Sequence, residues 1–320
     1  GAGSRMMYSP SQAAFRAGRV DGTQWDDANV GRFSFAAKSN TIASGLFSTA
    51  MGRDTRASGT QSFTWGIQNE ATGPTATAWG ANTRATNSFA TAWGALCVAS
   101  GEYSTAFGRN IQAAGDYSVA IALSSQGGAS VTADNAMTIM GGNLGIGALN
   151  PTAKLHVDLT NEINNLMLVE GDYAPTGSVP NLGAGSRMMF SPSQAAFRAG
   201  RVTGTQWDDD SLGRYSFATN YNTVALGNFS TALGFETRAT GTRAVAMGNL
   251  SVASGSNAVA MGTTTQASGV QSVAWGDLTV SSNENSTAWG FRTSATGPRA
   301  TAWGVDAESS SSNATAWGTG

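Results

Sequence analysis

The chain has 320 residues, 12% of them charged, with 41 glycines and a net charge of −2. So weak and balanced a charge excludes a basic nucleic-acid footprint, and 9% aromatics separates the chain from long disordered sequences. No run of about eighteen apolar residues marks a spanning helix, and a single cysteine and a single histidine, Cys97 and His156, exclude an intrachain disulfide and a Cys/His zinc site within one chain.

The length suggests about two ordinary domains, but the pattern is a repeat. Residues 1–33 form a first segment containing Pro10, the pair Arg16 and Arg19, and Trp25-Asp26-Asp27. Gly1 to Val20 returns as Gly183 to Val202 with one change, Tyr8 to Phe190, and Gly22 to Asp27 returns as Gly204 to Asp209. These segments, 1–33 and 183–215, are expected to cap a solenoid edge against onward pairing. Asp26 and Asp27 alternate in direction on a strand and match no metal-binding loop. Charge pairing with Arg16 or Arg19 is the expected use.

Residues 34–124 form a first array with a fourteen-residue beat. The word Ser48-Thr49-Ala50-Met51-Gly52 recurs, and its last glycine returns as Gly66, Gly80, Gly94 and Gly108. A second word, Ala57-Ser58-Gly59, stands half a period away. A fixed short period marks a repeat architecture. Two glycine-marked corners leave room for two short strands per coil, and an even period returns each residue type to the same face. Successive coils then pair as parallel strands about 4.8 Å apart. The glycines are expected at tight turns with positive φ. Asn87 and Asn283 replace the second-word glycine, as residues tolerant of that conformation.

One strand face is small: Ser48, Ala50, Ser62, Thr64, Ala76, Ala78, Ala90 and Ala92. The other carries Met51, Trp65, Trp79, Trp93 and Phe107. A coil this short has a narrow interior that serine and alanine fill, so the bulky column is expected outside; the alternative is the swapped arrangement, large residues in and small ones out. A long exposed apolar patch is rare on a soluble monomer, which predicts that this column packs between subunits. Cys97 takes the place held elsewhere by Thr55, Thr83 and Thr237 and reads as a surface or turn residue.

Residues 125–182 lose the beat and read as connector and linker. Met137 to Met140 reads as a strand, followed by a glycine-rich turn and a strand ending at His156-Val157. Ile163, Leu166 and Met167 suit either a short helix or a strand, and Tyr173 to Pro180 reads as a linker. His156 is expected on one face of a connector strand, the alternative being a metal site built from several copies. Residues 216–320 form a second array. Its glycines are Gly234, Gly248, Gly262, Gly276, Gly290, Gly304 and Gly318, and its bulky column is Met247, Met261, Trp275, Trp289, Trp303 and Trp317.

Asp116-Tyr117-Ser118-Val119-Ala120-Ile121 and Arg243-Ala244-Val245-Ala246-Met247-Gly248 resemble the Ser-Val-Ala-Ile-Gly repeats of trimeric autotransporter adhesin heads, the YadA-like type. The resemblance covers both arrays and implies an all-β fold, a left-handed parallel β-roll or β-solenoid with fourteen-residue coils, assembled as a homotrimer and here interrupted by a connector. Tryptophan at the bulky position departs from the aliphatic residue usual there. Gly145-Ile146-Gly147, Pro151 and Lys154-Leu155-His156-Val157 resemble junctions of phage tail fibres and bacterial surface fibres, which implies a trimeric junction.

These readings predict a structural extracellular fibre or adhesin segment, exposed at a cell surface, made of tandem modules. The alternatives are a viral tail fibre on a virion and a self-assembling filament running end to end without a receptor. The expected partners are other copies of the chain and a host or cell-surface ligand, with no nucleic acid and no membrane contact in this segment. The start and end within a repeating pattern suggest a piece of a longer protein. Asp54, Glu70, Glu102, Asp116, Glu236, Asp277 and Glu308 stand at scattered corners with no readable catalytic pair, so neither an enzyme nor a cofactor is expected. Ice binding by the threonine column at Thr77, Thr91, Thr287, Thr301 and Thr315 is set aside, because each threonine shares its face with a tryptophan.

Overall fold

Each fourteen-residue coil is a five-residue strand, a turn, a two-residue strand and a second turn, as in Thr77–Ala81 followed by Arg84–Ala85. The computed structural model describes residues 2–158, 168–174 and 177–319. The chain divides into two units, Gly1–Leu166 and Met167–Gly320, and each is a β-solenoid without an α-helix among its described residues. The suggested helix or strand at Ile163, Leu166 and Met167 lies outside the described residues.

Like pairs with like along each stack. Thr77 stands opposite Thr91, Trp79 opposite Trp93 and Gly80 opposite Gly94 in parallel register. Ala85 stands opposite Ala99 on the short-strand side. Each unit thus has a ten-stranded sheet of long strands and a seven-stranded sheet of short ones.

The small face is inside. Ser48, Ala50, Thr55 and Ala57 in one coil, and Ala76, Ala78, Thr83 and Ala85 in a later one, are buried to within 1% of full burial. Alanine gains little by burial, so no coil holds itself together; stacked neighbours supply the core, as in other solenoids. Serine fits at the first inward position because its hydroxyl donates to the carbonyl three residues back, as Ser48 does to Gly45 at 2.7 Å. The inward column after the first turn runs Thr41, Thr55, Asn69, Thr83, Cys97, Ile111. Cys97 is therefore a buried residue of the bore and not a surface or turn residue. Its thiol lies 3.2 Å from the Gly108 carbonyl.

The first-word glycines, Gly52, Gly66, Gly80, Gly94 and Gly108, do not lie in the turns. Each sits within the long strand, next to its last residue, with φ between 113° and 122°. Gly234, Gly248, Gly262, Gly276, Gly290, Gly304 and Gly318 sit likewise in the second array. The physical need is twofold, positive φ and close stacking: a Cβ on Gly80 would lie 1.9 Å from the Gly94 carbonyl oxygen. The turns themselves use left-handed residues that are not glycine, such as Phe89 at φ 56° and Leu96 at φ 58°. Their amides bond to the preceding coil, Phe89 to the Pro74 carbonyl and Leu96 to that of Ala81, both at 2.9 Å. That bond offsets the roughly 1–2 kcal/mol of a left-handed L-residue.

The second-word position has a different logic from the one expected. Neither Asn87 nor Asn283 has positive φ, so tolerance of that conformation is not why asparagine stands there. At Gly59 the amides of Ser58 and Gly59 both donate to the Ala71 carbonyl, at 2.9 and 3.3 Å. At Asn87 the Thr86 amide alone bonds the corresponding Ala99 carbonyl, and the Asn87 side chain reaches the Ser100 carbonyl at 3.3 Å instead.

Stacking in the first unit runs past residue 124, where the regular beat ends. Val119 pairs with Met137 and Ala113 with Val131, so one coil of eighteen residues follows, its extra chain looped through Gly127 and Gly128 at positive φ. Beyond it, Leu144–Ile146 and Leu155–Val157 form a small parallel pair. His156 lies on that second strand, half-buried, with Nδ1 accepting from the Thr152 amide at 3.3 Å.

At the start of each unit an antiparallel hairpin replaces the coil. In the first unit, β1 (Gly3–Ser9) pairs with β2 (Ala14–Val20), which stacks in parallel on β3 (Phe35–Ser39). Arg16 is fully buried. Its guanidinium donates to the carbonyls of Phe15, Ser34 and Ala43 at 2.9–3.0 Å and to Ser34 Oγ at 2.7 Å. Trp25, also buried, donates from Nε1 to the Thr41 carbonyl. The expected pairing of the two aspartates with Arg16 or Arg19 is overturned: Arg16 points into the bore, and Arg19 pairs with Asp21 at 3.0 Å. Asp27 begins a short 3-10 turn and does not lie on a strand. Burial lowers the pKa of Arg16 to about 10.

Candidate interaction surface

Because the inward positions of the long strands take only small side chains in the regular fourteen-residue coils, the bulky residues of those strands face outward. Trp65, Trp79 and Trp93 form one stack, with centroids 5.4 and 5.2 Å apart and planes within 6°. Phe107 continues it edge-on at 5.0 Å. These rings remain 36–47% exposed. Met51 opens the column and is half-buried. In the second unit Met247 and Met261 are half-buried, and Trp275 stacks on Trp289 at 5.6 Å and 13°. Trp303 and Trp317 continue with centroids 5.4 Å apart and a tilt of 43°. Trp275 to Trp317 are 42–74% exposed. All residues expected to pack between subunits therefore lie on one outward column of their own unit.

A second ladder lies at the turn between the short strand and the next long one. Phe89, Tyr103 and Tyr117 stack at 4.6 and 5.0 Å and are 45–57% exposed. Tyr215 and Phe229 stack at the same position of the second unit, at 4.7 Å. Sequence reasoning passed over this ladder, although its members stand fourteen residues apart. Their neighbours in the cycle, such as Gln61, Thr75 and Asn257, are polar and hide the column.

The acidic residues are less scattered than expected. Asp116 accepts the Glu102 amide at 2.7 Å, and Asp134 accepts the Asp116 amide at 2.8 Å. Glu70, half-buried, pairs with the exposed Arg84 one coil later at 3.2 Å. These carboxylates brace the corners by accepting backbone amides or pairing with arginine. No group of three metal-ligating side chains occurs among the described residues.

The family model described as the YadA head domain repeat (two copies) matches residues 43–63, 99–121, 221–237, 225–251, 239–265, 253–279 and 267–293. No curated protein matches the chain.

Proposed function

From the premise that this chain is a β-solenoid carrying YadA head domain repeats, we propose that it is a structural head or stalk segment of a cell-surface adhesin and works as a homotrimer. The family and the fold both point to a structural protein without enzymatic activity. The observation that carries the trimer is the outward tryptophan column, which stays about half exposed in a single chain.

Area decides what such a column needs. An aromatic side chain offers about 200 Å², so four half-exposed rings leave on the order of 400 Å², about half of the roughly 800 Å² per partner in a stable interface. The flanking outward residues of the same strands, Thr77 and Ile67 among them, must join the contact. Three chains packed side by side cover the column in every copy at once. The remaining outward columns stay free to meet a surface ligand, which is the attachment role of the assembly.

Light scattering at low concentration tests the reading. The expected mass is three chains. Trp79→Asp is expected to give single chains and a fall in Tm of several degrees. Arg84→Asp, which exchanges a surface ion pair with Glu70, worth about 0–1 kcal/mol, for a like-charge contact of similar size, leaves the mass unchanged. A stable monomer in the parent protein overturns the trimer. A very large, polydisperse mass supports an end-to-end filament in its place.

A further inference from the structure

The two hairpin caps are copies, and the second shows a strap lying along it. In the second unit the chain ahead of the cap lies along it. The Val179 amide donates to Asp209 Oδ1 at 2.9 Å, and the Leu182 and Gly183 amides both donate to Asp208 Oδ1 at 3.0 Å. Asn181 Oδ1 accepts the Asp209 amide at 3.0 Å. Gln194 donates from Nε2 to the Gly177 carbonyl, and the Ala174 amide donates to the Ser193 carbonyl at 3.1 Å. Val179 is 8% exposed and clusters with Ala196 and Leu212. Tyr173 stacks on Tyr215 at 5.1 Å.

The first cap repeats most of the side chains that receive this strap, and replaces two of them by similar ones. Asp26 and Asp27 stand for Asp208 and Asp209, Gln12 for Gln194, Ser11 for Ser193, and Ala14 for Ala196. Val30 and Phe33 stand for Leu212 and Tyr215 with like chemistry. Two other positions of the same turn differ, Ala28 standing for Asp210 and Asn29 for Ser211. Asp27 and Pro10 are exposed where Asp209 and Pro192 are half-buried under the strap, and Gln12 is half-buried where Gln194 is buried. Phe33 stacks on Phe47 at 5.0 Å, as Tyr215 stacks on Phe229. Its ring now meets the Arg32 guanidinium at 5.4 Å, on a side chain that an incoming ring can displace.

We propose that the cap is a peptide-docking surface, and that the first cap takes a second segment with the chemistry of residues 173–183. That partner is an extended, uncharged peptide. It presents a branched apolar side chain where Val179 sits, asparagine two residues later, a backbone amide for Asp27, and an aromatic ring ahead of them. Docking of this kind seats each module on the chain that precedes it, through main-chain hydrogen bonds and one apolar anchor.

The test places residues 170–182 directly ahead of Gly1 in the full chain, so that docking is intramolecular. Amide hydrogen exchange then follows the added Val179 counterpart, with native Val179 as an internal standard. Docking slows exchange of the added amide at least tenfold relative to a fusion with that valine changed to Asp. Asp27→Ala, at an exposed position, removes the acceptor and abolishes the slowing while native Val179 keeps its own rate. Equal exchange in the valine and aspartate fusions, or slowing that survives Asp27→Ala, overturns the proposal. The outcome is independent of the trimer, because it reads a contact within one chain.

Discussion

A methyl group on Gly80 would arrive 1.9 Å from the Gly94 carbonyl oxygen, on a backbone already at φ 122°. Neither the clash nor the strain can relax while the coils stay stacked, so Gly80→Ala is expected to cost roughly 3 kcal/mol or more. Gly127→Ala is the control: its φ is 63° but nothing lies within 4 Å of its Cβ site, so only the local strain, about 1 kcal/mol, remains. Urea unfolding of both variants separates stacking from backbone preference. Cys97 gives a second test at this scale. Burial raises its thiol pKa above the ordinary 9.0, against smaller opposing effects of backbone hydrogen bonds. An acid held neutral in the fold stabilises it below the unfolded pKa and loses that contribution as pH rises through the folded value. Between those two values the stability of the native chain is expected to fall with pH, while Cys97→Ala loses this part of the slope. A thiol reagent at pH 8 is expected to modify Cys97 only as the chain unfolds.

At the scale of the strand, most of the architecture was legible because fourteen is even and the side chains are so unequal in size. Ala50, Ala78 and Ala92 are inside and Trp65, Trp79 and Trp93 outside, as narrow coils require. Parallel pairing of like residues follows from the same beat. Four features were not legible, each for a physical reason. Glycine signals both positive φ and close approach, so Gly80 read as a turn residue when its strand needs it for stacking as well. Left-handed turns at Phe89 and Leu96 carry residues that sequence rules place elsewhere, since the inter-coil hydrogen bonds that offset their strain exist only once the coils are stacked. The caps hide a buried guanidinium. Arg16 read as a charge awaiting a carboxylate, yet the carbonyls of Phe15, Ser34 and Ala43 supply its acceptors, and only the folded hairpin brings them together. The strap lay in a stretch that read as linker because its bonds use backbone amides, which leave no pattern in the side chains.

Over a whole unit, stability is a sum over coils and their interfaces, because each coil touches only its neighbours. This makes the arrays tolerant of losses that preserve the beat and intolerant of those that do not. Removing 259–272 joins Ala258 to Val273, which follows the same turn as Val259, and Val245 then pairs with Val273 as it now pairs with Val259. Every remaining inward residue stays inward, so the second unit is expected to fold with one coil fewer, the same strand signature in far-UV circular dichroism and a Tm within a few degrees of the parent. Removing 259–271, one residue less, joins Ala258 to Ser272 and moves the join out of phase by one position. A one-residue slip turns every side chain of a strand to the opposite face. Val273 would then stand opposite Ala246, Trp275 would take the place of Gly262 opposite Gly248, where the stacked coils leave no room even for a Cβ, and Ala274 would take the outward place. The chain can restore its phase only by bulging the extra residue out at a turn, where the left-handed residue and its inter-coil bond must be given up. The shorter deletion is therefore expected to be the more damaging one, with a lower Tm and a broader transition. An equal Tm for the two variants would mean that the turns, and not the inward column, absorb changes of length.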